Sequence, residues 1–294
     1  MNRYPLGALF VLFLASTLPT PAQESGDVSS VSEFDWSRST LEMTISTVRD
    51  PMGRNGAAAS LDAQRRLDEH FVRRLLDRLY DVPIDSRMTI GQYIEQDPQI
   101  TTELFERASE ADRGVPYTSP DLSRLLRRYS VRVFPDLAEI FVHHEAPFPM
   151  EEVIRWLPTR QYTGVVIYAG EPLPVRGEEA PDGGPLYEEI EPALFPEILD
   201  TNFRPVLQQD MLYPDWIRRW GIVAYTESSD ETAWIDRVGN RPLRIMAEQV
   251  FGIRRSDIVI SPGDADRLLA SDHNRDILRQ GRILVIVPGG VSSD

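Results

Sequence analysis

The chain contains no cysteine and no lysine. Without cysteine there is no disulfide, no thiol nucleophile, no thiolate zinc site and no lipid-modified N-terminal cysteine. Without lysine there is no Schiff-base amine, no P-loop lysine and no Ser-Lys dyad. All 31 basic residues are therefore arginine, a bias that GC-rich coding and a saline habitat both produce. Positive charge is also in deficit: 46 acidic residues leave a net charge of −15. That balance argues against nucleic-acid binding, and acidic residues interleave with the arginine pairs. Long apolar runs are scarce as well, and none reaches the length of a membrane span.

The longest such run, Leu6 to Leu14, follows a basic start at Arg3 and precedes Thr20-Pro21-Ala22, where small residues suit a signal peptidase. Residues 1–22 are thus expected to be a signal peptide. The mature chain of about 270 residues is long enough to be stabilised by its core alone. Residues 23–33 are polar and expected to form a flexible leader.

From Phe34 onward, periodicity takes over. Leu41, Met43 and Ile45 alternate with polar residues as in a half-buried strand. Gly53 to Gly56 is read as a turn. Between Ser60 and Tyr80, Leu67, Phe71, Leu75 and Leu79 recur every fourth residue, giving an amphipathic helix with a self-paired charged face. Asp97-Pro98 marks a second helix start. Strands are expected at 130–134, 162–169, 221–225, 243–250, 257–260 and 282–287. Helices are expected near 262–270 and 273–280. Residues 171–192, rich in proline, glycine and acid, are read as a mobile acidic surface loop.

Tests for chemistry return little. His143 and His144 are adjacent, which on a strand sends them to opposite faces, and no HExxH spacing exists. No Gly-x-Ser-x-Gly elbow is present, and the acids lack the spacing of a calcium loop. With 46 acids, carboxylate pairs carry no signal by themselves. Tyr213, Trp216 and Trp220 stand at near-helical spacing beside Arg218 and Arg219. They fit an ordinary core or rim cluster, or a face that binds a partner or carbohydrate, and ring exposure separates the two.

The order of motifs carries a resemblance. It runs through Trp36 with its following strand, Ala57-Ala58-Ala59, Ile84-Asp85-Ser86, Tyr162-Thr163-Gly164-Val165-Val166-Ile167 and Pro192-Ala193-Leu194-Phe195-Pro196. It continues through Gly221-Ile222-Val223-Ala224-Tyr225, the Arg237-to-Leu243 turn, Asp257-Ile258-Val259-Ile260 and Gly281-Arg282-Ile283. This series, covering roughly Trp36 to Val287, resembles a group of largely uncharacterised exported bacterial proteins of spirochaetes and deltaproteobacteria. That group looks related to small outer-membrane lipoproteins and to the N-terminal domain of flagellar assembly protein T. Two departures stand out. Tyr168-Ala169-Gly170 replaces the Asp-Ala-Arg of many relatives, and the lipoprotein cysteine is missing, so a lipid anchor does not carry over.

The expected fold is α+β, an antiparallel or mixed sheet with packed helices. It is arranged as a lobe over 34–145 and a strand-rich lobe over 146–288, or as one continuous structure. The expected function is non-enzymatic: a periplasmic or outer-membrane-associated protein docking an envelope or flagellar basal-body protein. Sheet edges or Tyr213, Trp216 and Trp220 would form the contact. No cofactor, metal, nucleic acid or stable membrane anchor is expected. The alternative is a glycan or cell-wall hydrolase, which requires two carboxylates facing each other beside the Trp216 and Trp220 rings.

Overall fold

The computed structural model describes residues 28–49, 56–154 and 157–289. The expected signal peptide, the first part of the expected leader and residues 53–55 of the expected turn lie outside them. The first sheet forms around β1 (Val28–Asp35) and β2 (Thr40–Val48), a hairpin with Phe34 opposite Leu41. The leader expectation is corrected here, because residues 28–33 belong to β1. Most of their side chains are polar since β1 is an edge strand, and its order comes from backbone pairing with β2 and the buried Val28.

Helix α1 (Gly56–Leu79) packs the expected stripe, with Leu67, Phe71, Leu75 and Leu79 fully buried. A short α2 (Ile90–Gln96) follows, set by a capping box in which Thr89 and Gln92 bond each other's backbone. Helix α3 (Ile100–Ser109) starts two residues after Pro98, with Asp97 accepting from the Gln99 amide. Strands β3 (Asp112–Arg113) and β4 (Tyr117–Thr118) both pair with β5 (Arg124–Arg132), which lies along β2. Phe71 of α1 stacks on Tyr129 of β5 at 4.0 Å. The Tyr129 hydroxyl and Arg127 both bind Asp68. Burial, with that bond, pushes the Tyr129 hydroxyl far above its ordinary range. Tight helical turns over 133–141 lead out of this lobe.

The second lobe holds two sheets. Strands β6 (Val165–Tyr168), β7 (Leu173–Glu179), β8 (Pro185–Glu188), β9 (Ile198–Asp200) and β10 (Pro205–Leu207) precede helix α4 (Pro214–Trp220). After β11 (Ala224–Thr226) come α5 (Ile235–Val238), β12 (Leu243–Met246), β13 (Gln249–Phe251) and β14 (Asp257–Ile260). Helices α6 (Pro262–Leu269) and α7 (Asp272–Arg279) lead to the last strand, β15 (Ile283–Ile286). One sheet, β11-β15-β6-β12, is parallel throughout, and its central strands β15 and β6 are the near-continuous apolar runs expected inside a parallel sheet. The other is mixed, in the order β10-β9-β14-β13-β7-β8. The fold is α+β with mixed sheets.

Residues 171–192 need a correction, since they contain the hairpin β7–β8. Composition missed it because its anchors come from far along the chain. Val250 of β13 lies opposite Val175, and Arg255 grips both Glu178 and Glu188. The 243–250 run is two strands in different sheets, divided at Ala247-Glu248. One apolar core runs through both lobes. The lobes are stitched by backbone bonds from Leu194 to Pro83 and from Phe195 to Ile84. No described helix is long and apolar enough to cross a membrane.

Candidate functional site

Helix α4 carries Trp216 and Trp220, and Tyr213 stands at its N-cap. Pro214 occupies its first turn, where a missing N–H leaves nothing unsatisfied. Gly221 ends it at φ 75°, and a Cβ there would lie 2.8 Å from the Phe134 ring. Ile217 faces the core, while Trp216 and Trp220 are half-buried. Their rings meet, centroids 4.9 Å apart and tilted by 36°. Tyr213 does not join them. Its hydroxyl donates to Asp276 of α7 at 2.9 Å, and that bond, with burial, pushes it upward. The expected trio is therefore a pair of tryptophans and a tyrosine that ties α4 to α7.

Two arginines complete the pair. Arg219 is exposed and lies over both rings, 5.2 Å from the Trp216 centroid and 5.4 Å from that of Trp220. Arg237, on α5, is buried and also lies over the Trp220 ring, 5.0 Å from its centroid. It donates to the carbonyls of Trp220 (2.7 Å), Gly281 (2.9 Å) and Gly221 (3.0 Å). The Trp220 indole N–H donates to the Gln280 carbonyl at 2.8 Å. These carbonyls terminate α4 and α7, so one guanidinium fork closes two helix C-termini and meets their partial negative charge. Burial pushes Arg237 down to about 9, which leaves it charged at neutral pH.

A cavity of about 240 Å³ opens beside this arrangement, where the β1–β2 turn of the first lobe meets α4 and α5 of the second. Phe134, Trp220 and Trp234 wall it. Arg38, Arg219 and Arg237 line it, and Asp236 is the single carboxylate on its surface. For a chain of net charge −15, this is a locally basic and aromatic cleft.

The other polar clusters are internally engaged. Arg204 bridges buried Asp200 (3.0 Å) and buried Asp266 (2.7 Å), with Glu151 at 3.7 Å. Asp257 is 2% exposed, where the Ser86 turn of the first lobe meets the second. It accepts from the Glu197 amide at 3.0 Å, and burial pushes it up to about 6 against help from Ser86. Near the tryptophans, Asp215 pairs with Arg218 and Asp276 holds Tyr213 and Gln280. The two buried carboxylates that share an arginine, Asp200 and Asp266, stand on β9 and α6 rather than beside the rings. His143 meets the Tyr93 hydroxyl at 2.8 Å and His144 the Leu212 carbonyl at 3.0 Å, so the pair diverges. Among the described residues no three His, Asp or Glu side chains converge to hold a metal.

With this geometry in place, comparison with protein families is informative. Residues 27–140 match the N-terminal domain of Treponema pallidum Tp0624, and residues 164–289 match the second domain of the same protein. Each lobe is thus similar to one domain of the same spirochaete protein. The spirochaete part of the expected resemblance is thereby established. The cleft lies where the Tp0624-type N-terminal and second domains meet. Comparison with curated proteins finds no match.

Sequence reasoning placed Trp216 and Trp220 together but passed over Arg237 and Trp234. The Arg237-Val238-Gly239-Asn240 segment reads as a turn feeding a strand; Gly239 and Asn240 do lead toward β12, but Arg237 and Val238 are the last residues of helix α5. Its arginine looks like any other until the ends of α4 and α7 converge on it.

Proposed function

We propose that this chain is a non-enzymatic envelope protein, exported to the periplasm, that acts by docking a protein partner through the outward side of α4. One observation carries the reading: Trp216, Trp220 and Arg219 form a half-exposed aromatic–guanidinium stack on a rigid helix. Tryptophan and arginine are the residue types that dominate binding energy in protein interfaces, and a helix held at both ends presents them with little ordering cost. Both ends of α4 are held, by Tyr213 at the start and Arg237 at the finish. Sheet edges such as β1 offer a second route to docking. Kinship with small outer-membrane lipoproteins and with flagellar assembly protein T would put the partner in the outer membrane or the flagellar basal body.

The test is photo-crosslinking in intact cells from a reactive residue placed at Asp215, since the chain has no lysine for amine chemistry. A single dominant envelope protein, lost from the crosslinked set in Trp216→Ala, supports docking. Crosslinks that are diffuse, or unchanged by Trp216→Ala, remove this face as the docking site.

A further inference from the structure

Arg219 differs from the arginines around it. Arg237 spends its donors on three carbonyls, and Arg218 is engaged by Asp215 and by the Val142 carbonyl. Arg219 makes no hydrogen bond or ion pair to a described residue; its contacts are the faces of Trp216 and Trp220. Ring contacts fix a guanidinium in place without using any N–H, so its fork of donors stays available. Next to it the cavity offers apolar walls at Phe134, Trp220 and Trp234.

We propose that Arg219 is the carboxylate-recognising anchor of the docking face, and that the adjoining cavity receives the apolar side chain next to that carboxylate. The partner is thus a protein segment carrying one Asp or Glu flanked by a large apolar residue. This rests on the docking reading. One fork supplies two parallel bonds, the complement of a carboxylate. A phosphate dianion would call on further donors, and of the other arginines lining the cavity Arg237 is engaged by three carbonyls and Arg38 is paired with Asp35 at 3.6 Å. The net charge of −15 opposes a run of acids, so a single carboxylate with apolar flanks is the form the face accepts. The cavity's volume suits one leucine- to phenylalanine-sized group.

The experiment titrates the full mature chain with 3-phenylpropionate and with its neutral counterpart 3-phenylpropanamide, following the five tryptophan indole N–H signals by NMR. The acid is expected to shift the Trp216, Trp220 and Trp234 signals with a Kd of roughly millimolar, as suits a ligand this small. It should bind at least about fivefold more tightly than the amide. Arg219→Gln, a change at an exposed side chain, should abolish that preference, while Trp234→Ala should weaken both ligands. Equal binding of acid and amide, or a preference that survives Arg219→Gln, overturns the proposal. So does an acid that shifts none of these three indoles. The two readings separate cleanly. If crosslinking depends on Trp216 but the acid does not bind, docking stands and the anchor falls. If the acid binds with the expected preference and no partner is captured, docking falls and Arg219 remains a carboxylate site for a small ligand.

Discussion

Replacing Asp257 by Asn should make the protein more stable at neutral pH, and by an amount that depends on pH in a set direction. Asp257 is almost wholly shielded from water, and burial pushes it from an ordinary 3.8 to about 6. A carboxyl raised in the folded state is costly when ionised. Below about pH 4 both folded and unfolded forms are protonated and no penalty exists. Between about 4 and 6 the unfolded chain releases its proton first, so stability falls as pH rises. Above 6 the penalty is complete, and a shift of about two units corresponds to about 3 kcal/mol. Asparagine keeps an oxygen to accept from the Glu197 amide and presents an amide donor toward Ser86. Asp257→Asn should therefore gain about 3 kcal/mol at pH 7.5, or about 6–12 °C in Tm for a chain of this size. The gain should shrink steadily toward pH 4. Urea unfolding of both proteins at pH 7.5, 6 and 4.5 reads it directly. A variant that is no more stable at pH 7.5, or whose advantage does not change with pH, would refute the argument that desolvation dominates at this junction.

Other substitutions probe the frame of the cleft. Arg237→Met removes three carbonyl contacts at two helix ends and should cost about 3 kcal/mol or more, read as a lowered urea midpoint. Arg237→Lys should recover only part of that, because one ammonium cannot span three carbonyls. Gly164→Ala should destabilise by at least about 2 kcal/mol in the same assay, since its Cβ would lie 2.6 Å from the Val238 backbone and 2.9 Å from the Arg282 carbonyl. Arg204→Lys should cost about 1–3 kcal/mol by losing its simultaneous hold on Asp200 and Asp266. A neutral outcome in thermal melts would show that the remaining contacts of those acids suffice.

Much of the framework was legible because burial writes itself into short-range pattern. The helical stripe from Leu67 to Leu79 and the apolar runs at 257–260 and 283–286 each lie where the periodicity puts them. What stayed hidden was held by distant partners. The β7–β8 hairpin reads as a loop because its proline and acid content is unfavourable to strands. Its order comes from Arg255, 77 residues from Glu178. Strand β1 is polar on most positions because an edge strand needs only backbone pairing plus a few buried anchors, here Val28 and Phe34. Helix α2 was missed although Thr89 and Gln92 spell out a capping box, a signal the sequence did carry.

The absence of lysine takes on structural meaning once these contacts are laid side by side. Arg204 holds two buried carboxylates, Arg255 joins both strands of a hairpin, and Arg237 closes two helices. Each position needs several donors at fixed angles, which a guanidinium provides and an ammonium does not. These forks take over cross-linking that a cysteine-free chain cannot assign to disulfides. By the same logic, Arg219 is informative because it breaks the habit. Its neighbours commit their donors to other groups of the chain, whereas Arg219 is positioned by the rings of two tryptophans and leaves its donors uncommitted. A guanidinium fixed in place yet uncommitted fits recognition better than it fits stability.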